Sequence, residues 1–298
     1  MPSRSIRILI ALCAVLVARG APAQSAPLAL DSTFAVRLRD GSMVLGRLTA
    51  QSPDSLQIVT TAGRLTMSRA SVAEITLVHA SELHDGAYWP ADPHGTRLFF
   101  GPTGRTLRRG EGYISDLYLF FVNGAVGVTD RFMMGGGMSV FPSSDFFGNN
   151  VYYLTPKVSL VQGERFNLSV GALAGFAGHT NGSAGMIYAA ATNGLPDLSF
   201  TYGAGWAYSS GGDGSSSVRV HNDPALLFGA TARVSRRVEL LTENYVFTGS
   251  GGGLWLPMYG VRFIGDRLST DLGFVNAVGR DAGGIFPGIP WLGFALKF

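Results

Sequence analysis

The chain carries few side chains suited to chemistry, and four of them sit at spacings that hairpin geometry can align. Arg233 and Glu239 flank the turn Ser235-Arg236-Arg237, and Arg262 and Asp271 flank Asp266-Arg267. Hairpin turns fix strand register to within a residue or two, so a three-residue turn sets Arg233 opposite Glu239 and a two-residue turn sets Arg262 opposite Asp271. A loop centred between Ser250 and Gly251 brings Glu239 opposite Arg262. Four adjacent strands then present one row of alternating sign, extended by Lys297, with Lys157 and Glu243 pointing to the same enclosed side. Such a row either satisfies charges within a narrow interior or forms an electrostatic constriction. Read as a ladder, it predicts that Glu239→Arg perturbs the fold and that adding Arg262→Glu restores part of the loss.

Other chemistry has little support. His79, Glu82, His84, Asp85, Asp92 and His94 crowd a breaker-rich stretch, but their spacing fits no compact metal-ligand pattern, and the stretch reads as a solvated polar connector. Trp89 and Phe99-Phe100 would anchor it. A hydrolase needs a nucleophile, a base and an orienting group on one face. After Gly110 the histidines are His179 and His221, both in loops. No catalytic residue, metal or cofactor is expected, and the chain reads as non-enzymatic. The one cysteine, Cys13, lies in the N-terminal apolar run, so disulfides and thiolates play no part beyond it.

The elements that position the charges follow from composition and period. Hydrophobic residues make up 46% and charged residues 14%, with 41 glycines, an odd balance for a soluble enzyme. The charge-poor stretch 166–195 is broken by six glycines, so no spanning helix is expected there. Period two fits instead. Phe166, Leu168, Val170, Ala172, Ala174 and Phe176 alternate with Asn167, Ser169, Gly171, Leu173 and Gly175, and Leu198 to Tyr208 repeats the pattern with large residues opposite small and polar ones. Tight turns at 129–131, 163–165, 193–197, 235–237 and 266–267 alternate with longer loops, and one more hairpin near Val122 to Gly124 completes eleven connections. The fold class is therefore all-β: a transmembrane antiparallel barrel of twelve strands over 110–298, with ten as the alternative if the first hairpin fails.

Ahead of it, residues 1–23 have the basic start, apolar run and Ala21-Pro22-Ala23 of a secretory leader cut after Ala23. The formal charge of 23 Lys+Arg against 20 Asp+Glu falls to balance once Arg4, Arg7 and Arg19 leave with it, so nucleic acid is not an expected partner. Residues 28–79 hold five short strands punctuated by Asp40-Gly41-Ser42, Gly46, Asp54-Ser55-Leu56 and Gly63. That pattern resembles the Sm-like and SH3-like small barrels and implies a closed five-stranded β domain. Residues 80–109 form the connector.

At the end of the chain, Leu292, Phe294, Leu296 and Phe298 share one face. A final alternating strand ending in an aromatic resembles the insertion signal of Gram-negative outer-membrane barrels. The resemblance implies outer-membrane lipid, lipopolysaccharide and the barrel-assembly machinery as partners, with the small module and the C-terminus in the periplasm. The function that follows is a narrow pore or transporter for small solutes. The alternative is a non-enzymatic structural or interaction barrel, plugged, whose periplasmic module docks an unknown partner.

Overall fold

A computed structural model describes residues 28–78, 82–90, 92–177, 182–211, 218–249, 253–279 and 282–298. The expected leader lies outside them. The chain divides into two compact units, one ending at Trp89 and the other running from Pro90 to Phe298.

In the first unit, β1 (Thr33–Leu38), β2 (Met43–Gln51), β3 (Ser55–Thr60), β4 (Gly63–Ser68) and β5 (Val72–Leu77) form an antiparallel sheet in the order β4-β3-β2-β1-β5. Alternation builds its core: Phe34, Val36, Leu48, Leu56 and Ile58 are buried together. Gly41, at φ +88°, makes the turn between β1 and β2, and Asp40 accepts a hydrogen bond from the Ser42 N–H at 2.9 Å. The expected five-stranded β domain is present as this sheet, and among the described residues β4 and β5 stand at its two ends with no pairing between them. A two-rung ribbon follows, β6 (Leu83–His84) with β7 (Ala87–Tyr88), and the His84 ring stacks on Trp89 at 4.0 Å.

The second unit is a closed antiparallel barrel of twelve strands. They are β8 (Gly112–Leu117), β9 (Phe121–Gly127), β10 (Phe132–Ser139), β11 (Val151–Gln162), β12 (Phe166–Ala177), β13 (Ser183–Leu195), β14 (Leu198–Ser210), β15 (Val218–Ser235), β16 (Val238–Phe247), β17 (Leu254–Ile264) and β18 (Leu268–Val275). The twelfth is β21 (Ile289–Lys297), after a short ribbon of β19 (Val278–Gly279) and β20 (Ala282–Gly283) carried on β17. The C-terminal strand closes the circle by pairing with both β18 and β8, and the Phe298 N–H donates to the Gly112 carbonyl at 2.9 Å.

The first hairpin differs from the sequence reading. Its turn is Tyr118-Leu119-Phe120, and Asn123-Gly124 lies inside β9. Tyr118 and Leu119 adopt φ of +57° and +63°, and Asp116 holds the turn by accepting from the Leu119 N–H at 2.7 Å. Bulky residues seldom take the left-handed region, so this turn lacks the Gly or Asn that normally marks one.

The two parities along each strand meet different solvents. Phe166, Val170, Phe200, Tyr202 and Trp206 are exposed, whereas Asn167, Ser169, Ser199 and Thr201 are buried. A barrel with apolar residues outward and polar residues inward is built for hydrocarbon outside, and closure satisfies the ladder groups that an open edge would leave bare. No helix among the described residues is long and apolar enough to cross a membrane.

The interior is occupied at one end. Residues 92–108, expected as a solvated connector, run inside the barrel, and His94, Leu98 and Phe99 are 1%, 0% and 0% exposed. The Leu98 N–H donates to the Gly101 carbonyl and the Thr103 N–H to the Thr96 carbonyl, which folds the segment into a tight hairpin. Polar residues and prolines signal a chain without a ladder partner. A polar lumen satisfies such a chain as water does, and composition alone does not separate the two. Both ends of the segment lie at the end of the barrel with the short turns. The Pro90 carbonyl accepts from Arg233 beside the 235–237 turn at 2.7 Å, and the Arg109 N–H donates to Asp130 in the 128–131 turn at 3.1 Å.

Candidate functional site

The ladder pairs Arg233 with Glu239, Glu239 with Arg262, and Arg262 with Asp271, so the four charges lie on adjacent strands in one register. Their side chains do not share contacts evenly. Arg262, fully buried, donates from Nε and Nη2 to the two carboxylate oxygens of Asp271 at 2.7 and 3.0 Å. Its Nη1 donates to Asp92 at 2.6 Å and its Nη2 to the Leu98 carbonyl at 2.8 Å. Glu239 is farther off, at 3.8 Å. One guanidinium thus ties β18 to the inserted segment in a forked, charge-assisted arrangement. Arg233 reaches Asp197 at 3.7 Å on the other side. Lys297 does not extend the row: it stands opposite Tyr113, with Glu111 at 3.6 Å, because β21 enters the ladder beyond β18 at a different height.

The expected exchange of Glu239 with Arg262 also needs correction. A carboxylate placed at 262 would face Asp271 and Asp92, so that double change adds a repulsion and restores nothing. The reciprocal partner of Arg262 is Asp271.

Deeper in the lumen, Glu243 is fully buried and accepts hydrogen bonds from the N–H groups of Phe100 and Gly101 at 3.0 and 2.9 Å. Gly101 fits because it has no side chain: a Cβ there would stand 2.7 Å from the Tyr245 hydroxyl and 3.1 Å from Glu243. Lys157 donates to the Thr96 carbonyl at 2.9 Å. On the facing wall, Thr192 accepts from the Gly104 N–H at 2.8 Å, and Arg105 donates to the Gly194 carbonyl at 3.2 Å. Each neutral bond contributes about 1 kcal/mol net and each bond to a charged group about 1.5–3 kcal/mol, so seating rests mainly on Arg262, Glu243 and Lys157.

His94 belongs to this segment. Its Nε2 lies 2.9 Å from Arg97 Nη2, which is always a donor, so Nε2 accepts and the proton sits on Nδ1. Burial holds its pKa well below the ordinary 6.5, and the positive charges of Arg97 and Arg262 push it the same way. Asp271, 3.8 Å from Nδ1, pulls in the other direction but is itself engaged by Arg262.

Between the hairpin tip and the end of the barrel with the longer loops lies a cavity of about 390 Å³. Tyr113, Tyr153, Tyr188 and Tyr245 project into it among apolar residues such as Leu173 and Met186. Sequence reasoning missed both the inserted segment and this cavity. The available signal was Leu98-Phe99-Phe100-Gly101, an apolar run with a glycine between prolines, too hydrophobic for a solvated linker. Of the candidate metal ligands, Asp92 and His94 are in the lumen, Glu82, His84 and Asp85 are in the first unit, and His79 lies outside the described residues. Among the described residues no three such groups meet.

No protein-family model matches the chain, and no curated protein sequence matches it. Among solved structures it is similar to the KdgM porin in complex with disordered oligogalacturonate, with a TM-score of 0.43 and 6% identity, over 63% of this chain and 96% of that one. The NanC porin gives 0.43 and 9%, over 63% and 97%. A loop-deletion mutant of OmpT, an outer membrane protein of Vibrio cholerae, gives 0.36 and 12%, over 89% and 95%. Likeness at this level does not bear on the solute.

Proposed function

We propose that the protein is an outer-membrane transporter for small solutes, closed at its short-turn end by residues 92–108 and conducting only when that segment moves. The observation that carries the reading is the lumenal cavity stacked on a discrete, polar-anchored segment. Twelve strands enclose a lumen between the filled interior of eight-stranded barrels and the aqueous channel of porins, wide enough for a solute once the segment withdraws. The inserted segment is held by hydrogen bonds and ion pairs that water can replace, and a movable closure needs such contacts. The outer-membrane assignment rests on the closed twelve-stranded barrel with apolar residues outward and polar residues inward, and in this reading the first unit lies in the periplasm.

The test is conductance of refolded protein in planar bilayers. The parent should be mostly silent, and Gly101→Leu, which drives a side chain into Tyr245 and Glu243, should give stable unitary steps. The same filled lumen supports the second reading, an interaction barrel whose periplasmic module docks a partner. Silence from verified, folded Gly101→Leu protein would favour it.

A further inference from the structure

The cavity has a chemical polarity of its own. Its walls are apolar and tyrosine-lined, while its floor, at the inserted hairpin, contains Arg97 and Lys157. Both cations are nearly fully buried, at 8% and 3% exposed. Burying a charge is unfavourable unless it is paired, and elsewhere in the lumen Arg262 and Arg233 each have a carboxylate within 4 Å. Among the described residues, Arg97 and Lys157 have no such partner. Arg97 donates from Nη2 to His94, stands 5.9 Å over the Tyr113 ring, and leaves its Nε without a hydrogen-bond partner. Lys157 uses one of its three N–H donors on the Thr96 carbonyl. Two buried basic side chains without a carboxylate partner therefore face a cavity that has no carboxylate among its lining residues.

We propose that the cavity binds a small amphipathic monoanion, a carboxylate on an apolar aliphatic or aromatic body, head down on Arg97 and Lys157. The carboxylate would supply the missing negative charge and accept from the Arg97 guanidinium and the free Lys157 donors. The body would fill the space between Leu173, Met186 and Leu227. A cavity near 390 Å³ is at the small end of the range for organic ligands, which suits one ring or one short chain and excludes a polymer. A highly hydroxylated acid would bring more polar groups than these walls satisfy. The inference rests on the transporter reading for its biological meaning, but the binding it describes does not require transport.

Binding is measured by calorimetry on the folded protein in lipid nanodiscs, with octanoate as probe and octan-1-ol, octylammonium and acetate as comparisons. Octanoate should bind at least tenfold more tightly than octan-1-ol and acetate, and octylammonium should not bind. Arg97→Met should weaken octanoate at least tenfold and leave octan-1-ol within twofold. Because that residue belongs to the inserted segment and bonds to His94 within it, Leu173→Trp, which fills the cavity from the barrel wall, provides an independent check and should abolish binding of both. Equal binding of octanoate and octan-1-ol, equal binding of acetate and octanoate, or no binding to verified folded protein would each overturn the proposal. Octanoate binding without conductance in any variant would leave this inference standing and sink the transporter reading alone.

Discussion

If Arg262 clamps the inserted segment, its removal should release that segment by a calculable amount. Arg262→Met deletes two charge-assisted bonds to the segment, one to Asp92 at 2.6 Å and one to the Leu98 carbonyl at 2.8 Å. At about 1.5–3 kcal/mol each, seating should weaken by about 3–6 kcal/mol, a shift of roughly 10² to 10⁴ in the withdrawn fraction. The barrel also loses the partner of buried Asp271, and because water reaches that carboxylate once the segment withdraws, the loss falls on the seated state and adds to the shift. Asp92→Asn isolates one of the two bonds and should give about 1.5–3 kcal/mol, a shift of roughly 10- to 150-fold. The assay is thiol labelling. Cys13 is the one cysteine of the chain and lies before the expected leader cut. Protein produced without the leader therefore has no thiol background, and Thr96→Cys adds a single buried one at a hydroxyl that has no hydrogen-bond partner. When closing is fast compared with labelling, the rate is proportional to the withdrawn fraction. Labelling of the Arg262→Met protein within threefold of the parent, with the barrel folded in both, would refute the clamp.

Glu243→Gln keeps one carbonyl acceptor but turns an amide against the second N–H of the Phe100-Gly101 pair; labelling at Thr96→Cys should rise about tenfold or more, and an unchanged rate would remove Glu243 from the seating contacts. Acid should loosen the segment. His94 is held neutral in the folded state below its ordinary 6.5, so the unfolded or withdrawn form binds the extra proton; stability falls as pH drops below 6.5, by up to about 1.4 kcal/mol per unit, until the folded pKa is reached. His94→Asn should flatten the pH dependence of labelling between pH 7 and 5, and an unaltered slope would assign it to another group. Deleting Phe298, whose backbone closes the barrel on Gly112, should reduce the amount assembled in outer-membrane fractions; equal assembly would remove the terminal residue from the insertion signal. Protease added to intact cells should spare residues 34–78, and cleavage there without permeabilisation would reverse the proposed orientation.

Period-two alternation made the barrel legible, because lipid outside and polar contents inside write opposite demands onto successive residues. Phe166 and Ser169 needed no tertiary information to be placed. The register of Arg233, Glu239, Arg262 and Asp271 was legible for a related reason: short turns transmit it locally. Lys297 was misplaced because its register depends on the closing of the circle, a contact between the two ends of the barrel that no turn encodes. The inserted segment was illegible for a deeper reason. Its partners, such as Glu243 for Gly101 and Thr192 for Gly104, lie 142 and 88 residues away along the chain. Neither partner shares a local pattern with the segment, and the solvent that would satisfy an exposed linker resembles the lumen that satisfies this one.

The inserted hairpin leaves the barrel by the mouth through which it enters, with Pro90 and Arg109 at the same rim. It is therefore not threaded through the ring of strands, and no strand pairing has to open for it to be laid in after closure or drawn out again. Tension on the chain upstream of Pro90 would load its attachments in sequence, first Arg233, then Arg262, then Glu243, as tape is peeled and not as a bolt is sheared. A peeling geometry concentrates force on one bond at a time. A modest pull from the short-turn side would thus suffice to undo contacts that hold the segment in the lumen.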